Sequence, residues 1–154
     1  MLLRLILKNI FIAFFVCIVI MTAPFYIVAT INNTYTGMLE DEMRKSTPPP
    51  QTEIIEVISY FGNTTGRSNH AEAWIGILIK SKLTKEELEK YYKDLYRQTI
   101  VYKIPEDRQK IEALSMLDNT FESLAGMTDY DGYYIVERIE PRNGLLWFFD
   151  VRGH

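Results

Sequence analysis

Six side chains have the types and spacing to work together. Arg67, His70 and Glu72 fall in "FGNTTGRSNHAEAW", and Asp150, Arg152 and His154 fall in the closing "FFDVRGH". His70 and Glu72 are two residues apart, so on a strand they share a face. Such a pair could begin a metal site or serve acid–base chemistry. A common zinc set needs more, and the one other histidine is the terminal His154. No metal ligand is therefore assigned and no cofactor is expected. The six residues are read as a polar patch at one end of a sheet that binds a ligand or a protein partner. The alternative is a small hydrolase or metal-dependent enzyme using His70 and nearby carboxylates.

Other motifs are weaker. Gly62 and Gly66 are followed by Arg67-Ser68 rather than by a glycine with Lys-Ser or Lys-Thr, so no phosphate loop is formed. Asp129 and Asp131 resemble half of a calcium loop, but the third oxygen residue and the later glutamate are missing. No serine sits in G-x-S-x-G. Glu72, Glu137 and Asp150 are carboxylates on expected strands, and their separation cannot be read from the chain. The reading leans away from an enzyme.

These residues need elements to hold them. "IIEVISYF" (54–61) and "AEAWIGILIKS" (71–81) alternate as strands do. In the first, Ile55, Val57 and Phe61 are expected on one face and Ile54, Ile58 and Tyr60 on the other. In the second, Ala71, Ala73, Ile75, Ile77 and Ile79 alternate with Glu72, Trp74, Gly76, Leu78 and Lys80. Between the strands, "GNTTGRSN" exceeds the usual hairpin loop of about two to five residues, which leaves room for function.

Thr84 and Glu87 form a capping box ahead of a helix whose packing face is Leu88, Tyr91, Tyr92, Leu95 and Thr99. "TIVYKIP" is a short strand. Residues 106–125 fit a helix better than a strand. "DYDGYYIVERIEP" and "NGLLWFFDVRG" read as a hairpin around Asn143-Gly144. The order β-β-α-(β)-α-β-β gives an α+β domain over 54–154, with a mainly antiparallel sheet packed by one or two helices.

Ahead of that domain, residues 9–31 are 23 residues without a charged side chain. That length crosses a hydrocarbon core of about 30 Å as a helix. A permanent single-pass anchor in the lipid bilayer is expected. A cleaved signal peptide would have a shorter apolar region and a small-x-small cleavage site. Cys17 lacks the small preceding residue of a lipidation signal, and a buried core helix would seldom be so long without charge. Arg4 and Lys8 precede the span without acids, whereas Arg44 and Lys45 follow it at a distance. This places residues 1–8 in the cytoplasm and the domain outside the cell membrane. Residues 32–53 are expected to be a juxtamembrane linker, in which "MLEDEMRKS" can continue a short helix and Pro48–Pro50 form a semi-rigid spacer.

Residues 1–31 carry a formal charge of +2, and the remainder, with 15 basic and 20 acidic residues, carries −5. An acidic domain is a poor partner for nucleic acid. "GNTTGRSNH" and "FFDVRGH" resemble small uncharacterised membrane-anchored proteins of Gram-positive bacteria. The resemblance implies no activity and carries over no functional residue. It implies that the loop of residues 62–70 and the terminal Arg152-Gly153-His154 belong together.

Overall fold

A computed structural model describes residues 2–63, 71–96, 98–104, 106–107, 121–125, 127–142 and 150 of the 154-residue chain. The elements are α1 (Leu2–Lys45), β1 (Thr52–Gly62), β2 (Ala71–Ser81), α2 (Lys85–Leu95), β3 (Thr99–Lys103), a 3-10 turn (Glu122–Leu124) and β4 (Tyr133–Arg142). The strands form one antiparallel sheet in the order β1-β2-β4-β3. The α+β class read from the chain is the class observed. The expected helix over 106–125 falls mainly outside the described residues, and the expected last strand falls outside them apart from Asp150.

The largest departure from expectation is α1. It does not end with the apolar run but continues through "NNTYTGMLEDEMRK" as one helix of 44 residues, about 66 Å long. Val28, Asn32, Thr36, Leu39 and Met43 are buried along it. Their spacing of three and four residues is that of one helix face. Leu39 and Met43 enter the same core as Val57, Ile75, Ile77, Leu88 and Tyr92. Polar bonds fix the register. Arg44 donates to the Val57 carbonyl at 3.1 Å, Ser59 donates to Glu40 at 2.7 Å, and Arg138 donates to Glu42 at 3.0 Å.

The expected linker is accordingly short. Ser46 closes α1, its amide and hydroxyl both bonding the Met43 carbonyl. Pro49 is buried, and the Tyr91 hydroxyl donates to the Thr47 carbonyl at 2.7 Å. The proline stretch is therefore packed onto the domain instead of standing clear of it. Thr52 begins β1 directly after Gln51, which adopts φ 59°.

Both helices cover one face of the sheet. β2 supplies Ala71, Ala73, Ile75, Ile77 and Ile79 to that face, as alternation requires, and all five are buried. β1 departs from simple alternation. Its register shifts between Ile54 and Glu56, leaving Ile55 as a bulge. Ile54, not Ile55, therefore joins Val57 and Phe61 beneath the helices, and Ile55 joins Ile58 and Tyr60 on the opposite face. In α2 the capping box forms as expected, with the Thr84 amide donating to Glu87 at 2.8 Å and the Glu87 amide to Thr84 Oγ1 at 3.3 Å. Leu88 and Tyr92 face the core, but Leu95 is half exposed and Tyr96 is buried in its place. The helix ends before Tyr96, whose extended backbone turns the ring inward.

The opposite face packs Trp74, Leu78, Tyr102, Ile104 and Ile135 under Phe121, with Leu124 and Tyr130 at its margin. Gly76 makes room there. A Cβ at that position would strike the Trp74 ring and come within 2.9 Å of Phe121. Glu56, next to the bulge, accepts from the Glu122 amide at 3.1 Å and the Ser123 amide at 2.9 Å, tying the 3-10 turn over this face. Gly132, at φ +72°, turns the chain into β4 so tightly that a Cβ would lie 2.8 Å from the Ser81 carbonyl.

Candidate functional site

Of the six residues read as a polar patch, Glu72 and Asp150 lie among the described residues; Arg67, His70, Arg152 and His154 lie outside them. Glu72 opens β2 opposite Gly62 and Pro141. It shares a face with Trp74, and it is buried. Asp150 is also buried and accepts a 2.9 Å hydrogen bond from Asn32 Nδ2 of α1, 118 residues earlier in the chain. Both carboxylates belong to one end of the domain. As α1 descends from Arg44 to Glu40, it tracks β1 from Val57 to Ser59. Asn32, two turns further down, therefore lies towards Gly62, Ala71 and Arg142, the sheet end to which Glu72 belongs.

The third carboxylate, Glu137, sits mid-sheet. It is buried on the face of Trp74 and Tyr102, which donate to its two oxygens at 2.5 Å from Trp74 Nε1 and 2.7 Å from Tyr102 Oη. Strand alternation sets this up: Trp74 on β2, Glu137 on β4 and Tyr102 on β3 point to the same side across three adjacent strands. Burial, and then the bonded carboxylate, push the Tyr102 hydroxyl well above its ordinary pKa. Tyr102 thus stays a donor at any physiological pH. Two neutral donors on one buried carboxylate form a polar clasp across β2, β4 and β3. Sequence alternation already puts Glu137 beside Ile135 and Ile139; the signal missed was a tryptophan and a tyrosine on neighbouring strands of the same face.

On the helix face, Arg138 is buried between Glu42 of α1 and Glu140, each at 3.0 Å, and its guanidinium lies 4.5 Å from the centre of the Tyr96 ring. Burial works against its charge, but the two carboxylates outweigh it and raise its pKa. Glu56 shows the converse balance. Burial works to raise its pKa, but the Ser123 and Glu122 donors prevail and hold it below the usual carboxylate range. A group depressed in this way stabilises the fold above its unfolded pKa, and that contribution is lost as the pH falls through the folded value.

At the other end of the sheet lies an open cleft of about 770 Å³, lined by Thr52, Lys80, Ser81, Lys103, Asp131 and Tyr134 among others. Much of its polarity is already used internally. Lys103 pairs with Glu106 at 2.6 Å, Thr52 and Ser81 share a 2.6 Å bond, Tyr134 donates to the Leu83 carbonyl, and Lys80 lies 5.0 Å from the centre of the Tyr133 ring. Among the described residues no group of three or more histidine, cysteine, aspartate or glutamate side chains has the spacing to hold a metal ion.

Below the domain, α1 is long and apolar enough to cross a membrane. Between Ile6 and Ile27 it exposes large apolar side chains all round, including Phe11, Phe14, Phe15, Ile20, Met21 and Tyr26. Thr22 and Thr30 bond back to the carbonyls four residues earlier at 2.9 and 2.8 Å, so their hydroxyls are satisfied without water. No protein-family model, curated protein or solved structure significantly matches the chain.

Proposed function

We propose that the chain is a single-pass protein of the cell membrane whose α+β domain lies on the extracytoplasmic side and binds a partner or ligand without catalysis. The observation that carries the anchoring is the division of α1. Its first half exposes apolar side chains in every direction, and its second half is built into the domain core. Lipid is the solvent that suits the first half. Arg4 and Lys8 at the near end support a cytoplasmic N-terminus. The buried carboxylates support binding over catalysis. Glu137 and Asp150 each accept from a neutral side chain of the fold, which suits a structural task. In this reading Arg67, His70, Arg152 and His154 supply the contacts, and the buried Glu72 and Asp150 position the chain behind them.

Extraction of membranes at high pH tests the anchor: the intact chain is expected to stay with the lipid. Recovery of unprocessed chain in the aqueous fraction would remove the proposal, and an intact mass lacking the first half of α1 would convert the anchor into a signal sequence. Protease digestion of sealed vesicles reads the orientation. For the domain, purified His70→Ala protein is expected to keep its stability and to lose partner binding. Stoichiometric metal that disappears with His70 would instead favour the enzyme reading.

A further inference from the structure

We infer that the far hydrocarbon boundary of the bilayer falls at Ile27 and that the Asn32–Asp150 end of the domain rests directly on the phospholipid headgroups. The inference rests on the membrane-anchor reading and adds a depth and a contact surface to it. Two limits bracket the boundary. From above, Val28 is buried and Asn32 and Thr36 follow on the same stripe, so the domain begins to cover α1 at Val28. Hydrocarbon reaching Ile31 would have to envelop the helix where the domain already covers one side, and would bring the buried Asn32–Asp150 pair to the depth of the acyl chains.

From below, Asn9–Ile27 is 19 residues and rises about 28 Å, close to the roughly 30 Å thickness of a hydrocarbon core. Lys8 marks the near limit, with its stem free to reach back to the headgroups. Tyr26, exposed and one residue before the far limit, sits where tyrosines favour the interface. Lifting the domain clear of the surface would draw Phe25, Tyr26 and Ile27 into water and Lys8 into the hydrocarbon. The helix is continuous between the two limits, with Pro24 inside it, so no linker separates domain from membrane.

The surface so placed is the end of the sheet carrying Gly62, Ala71 and Arg142 together with Asp150. The cleft lined by Thr52, Ser81 and Gly132 then points away from the lipid.

The test is a depth scan of the full chain in phosphatidylcholine–phosphatidylglycerol vesicles. Cys17 is the one cysteine, so a Cys17→Ser background accepts single labels. Phe14, Ile18, Met21, Ile27, Thr34 and Met38, all exposed, are replaced one at a time by cysteine and carry a nitroxide. Collision with membrane-soluble oxygen is compared with collision with a water-soluble nickel chelate. The oxygen-to-nickel ratio is expected to peak at Ile18, to fall several-fold by Ile27, and to be dominated by nickel at Thr34 and Met38. A peak at Met21 or later, with Thr34 shielded from nickel, would overturn the seating by sinking the domain. A peak at Phe14, with Ile27 as open to nickel as Met38, would overturn it by lifting the domain off. Both results leave the anchor intact. A ratio that does not vary along the six positions would remove the anchor and the seating together.

Discussion

Between Ile6 and Ile27, α1 presents large apolar side chains on every side; between Val28 and Met43 it buries a single stripe and leaves Thr34, Met38 and Asp41 to water. The backbone is the same throughout, and in the proposed reading the difference lies in what each half dissolves in, lipid for the first and the domain for the second. A lipid-facing helix needs no periodicity, because its solvent is uniform around it. A helix docked on a sheet needs its apolar residues three and four apart, and it tolerates polar ones on that stripe where each has a partner. Asn32 has Asp150, and Thr36 bonds the Asn32 carbonyl at 2.9 Å. In the apolar half, Thr22 likewise bonds back to the Ile18 carbonyl, at 2.9 Å.

Deletion separates the two halves most sharply. A chain without residues 2–27 is expected to fold and to dissolve in water. A chain without residues 2–45 is expected to aggregate, since Val57, Phe61 and Ile75 lose their cover; circular dichroism and size-exclusion chromatography check both. Next in size is Met43→Ala, which opens a cavity in the core and should cost about 2–5 kcal/mol in a denaturant titration of the detergent-solubilised chain. Ile18→Ala, a comparable truncation in the lipid half, should leave the domain's midpoint unchanged. Asn32→Ala strips a donor from the buried Asp150 and should cost about 1–3 kcal/mol. The smallest change is expected from Glu42→Ala. Its carboxylate is half exposed and Arg138 keeps Glu140, so the loss should be under about 1 kcal/mol and shrink with salt. A loss from Ile18→Ala equal to that from Met43→Ala would erase the distinction between the halves.

The domain half of α1 was the part least legible in the chain. Its stripe contains Asn32 and Thr36 in place of hydrophobes, and "MLEDEMRKS" by itself suggests only a short helix within a linker. Its helicity comes from packing against the sheet, which local propensity does not report. By contrast, β2 and β4 are plain, because runs of β-branched and aromatic residues mark them. The capping box at Thr84 was equally plain, since both its bonds are local. The Ile55 bulge escaped notice because Ile54 and Ile55 are the same residue, so no change in pattern marks the shift. At the candidate site, burial of Glu137 is implicit in its apolar neighbours along β4. The Asn32–Asp150 bond is not: it joins segments 118 residues apart, and neither carries a motif.

In the proposed reading, one α-helix running from lipid into the domain core acts as a screw. Each residue added near position 27 would turn the domain by about 100° and raise it by about 1.5 Å, so azimuth and height cannot be adjusted independently. Pro24, inside the apolar segment, is the one proline of the helix and the place where a kink can form; a twist or piston stroke imposed beyond it would reach Arg138 and the sheet through Glu42 and Met43.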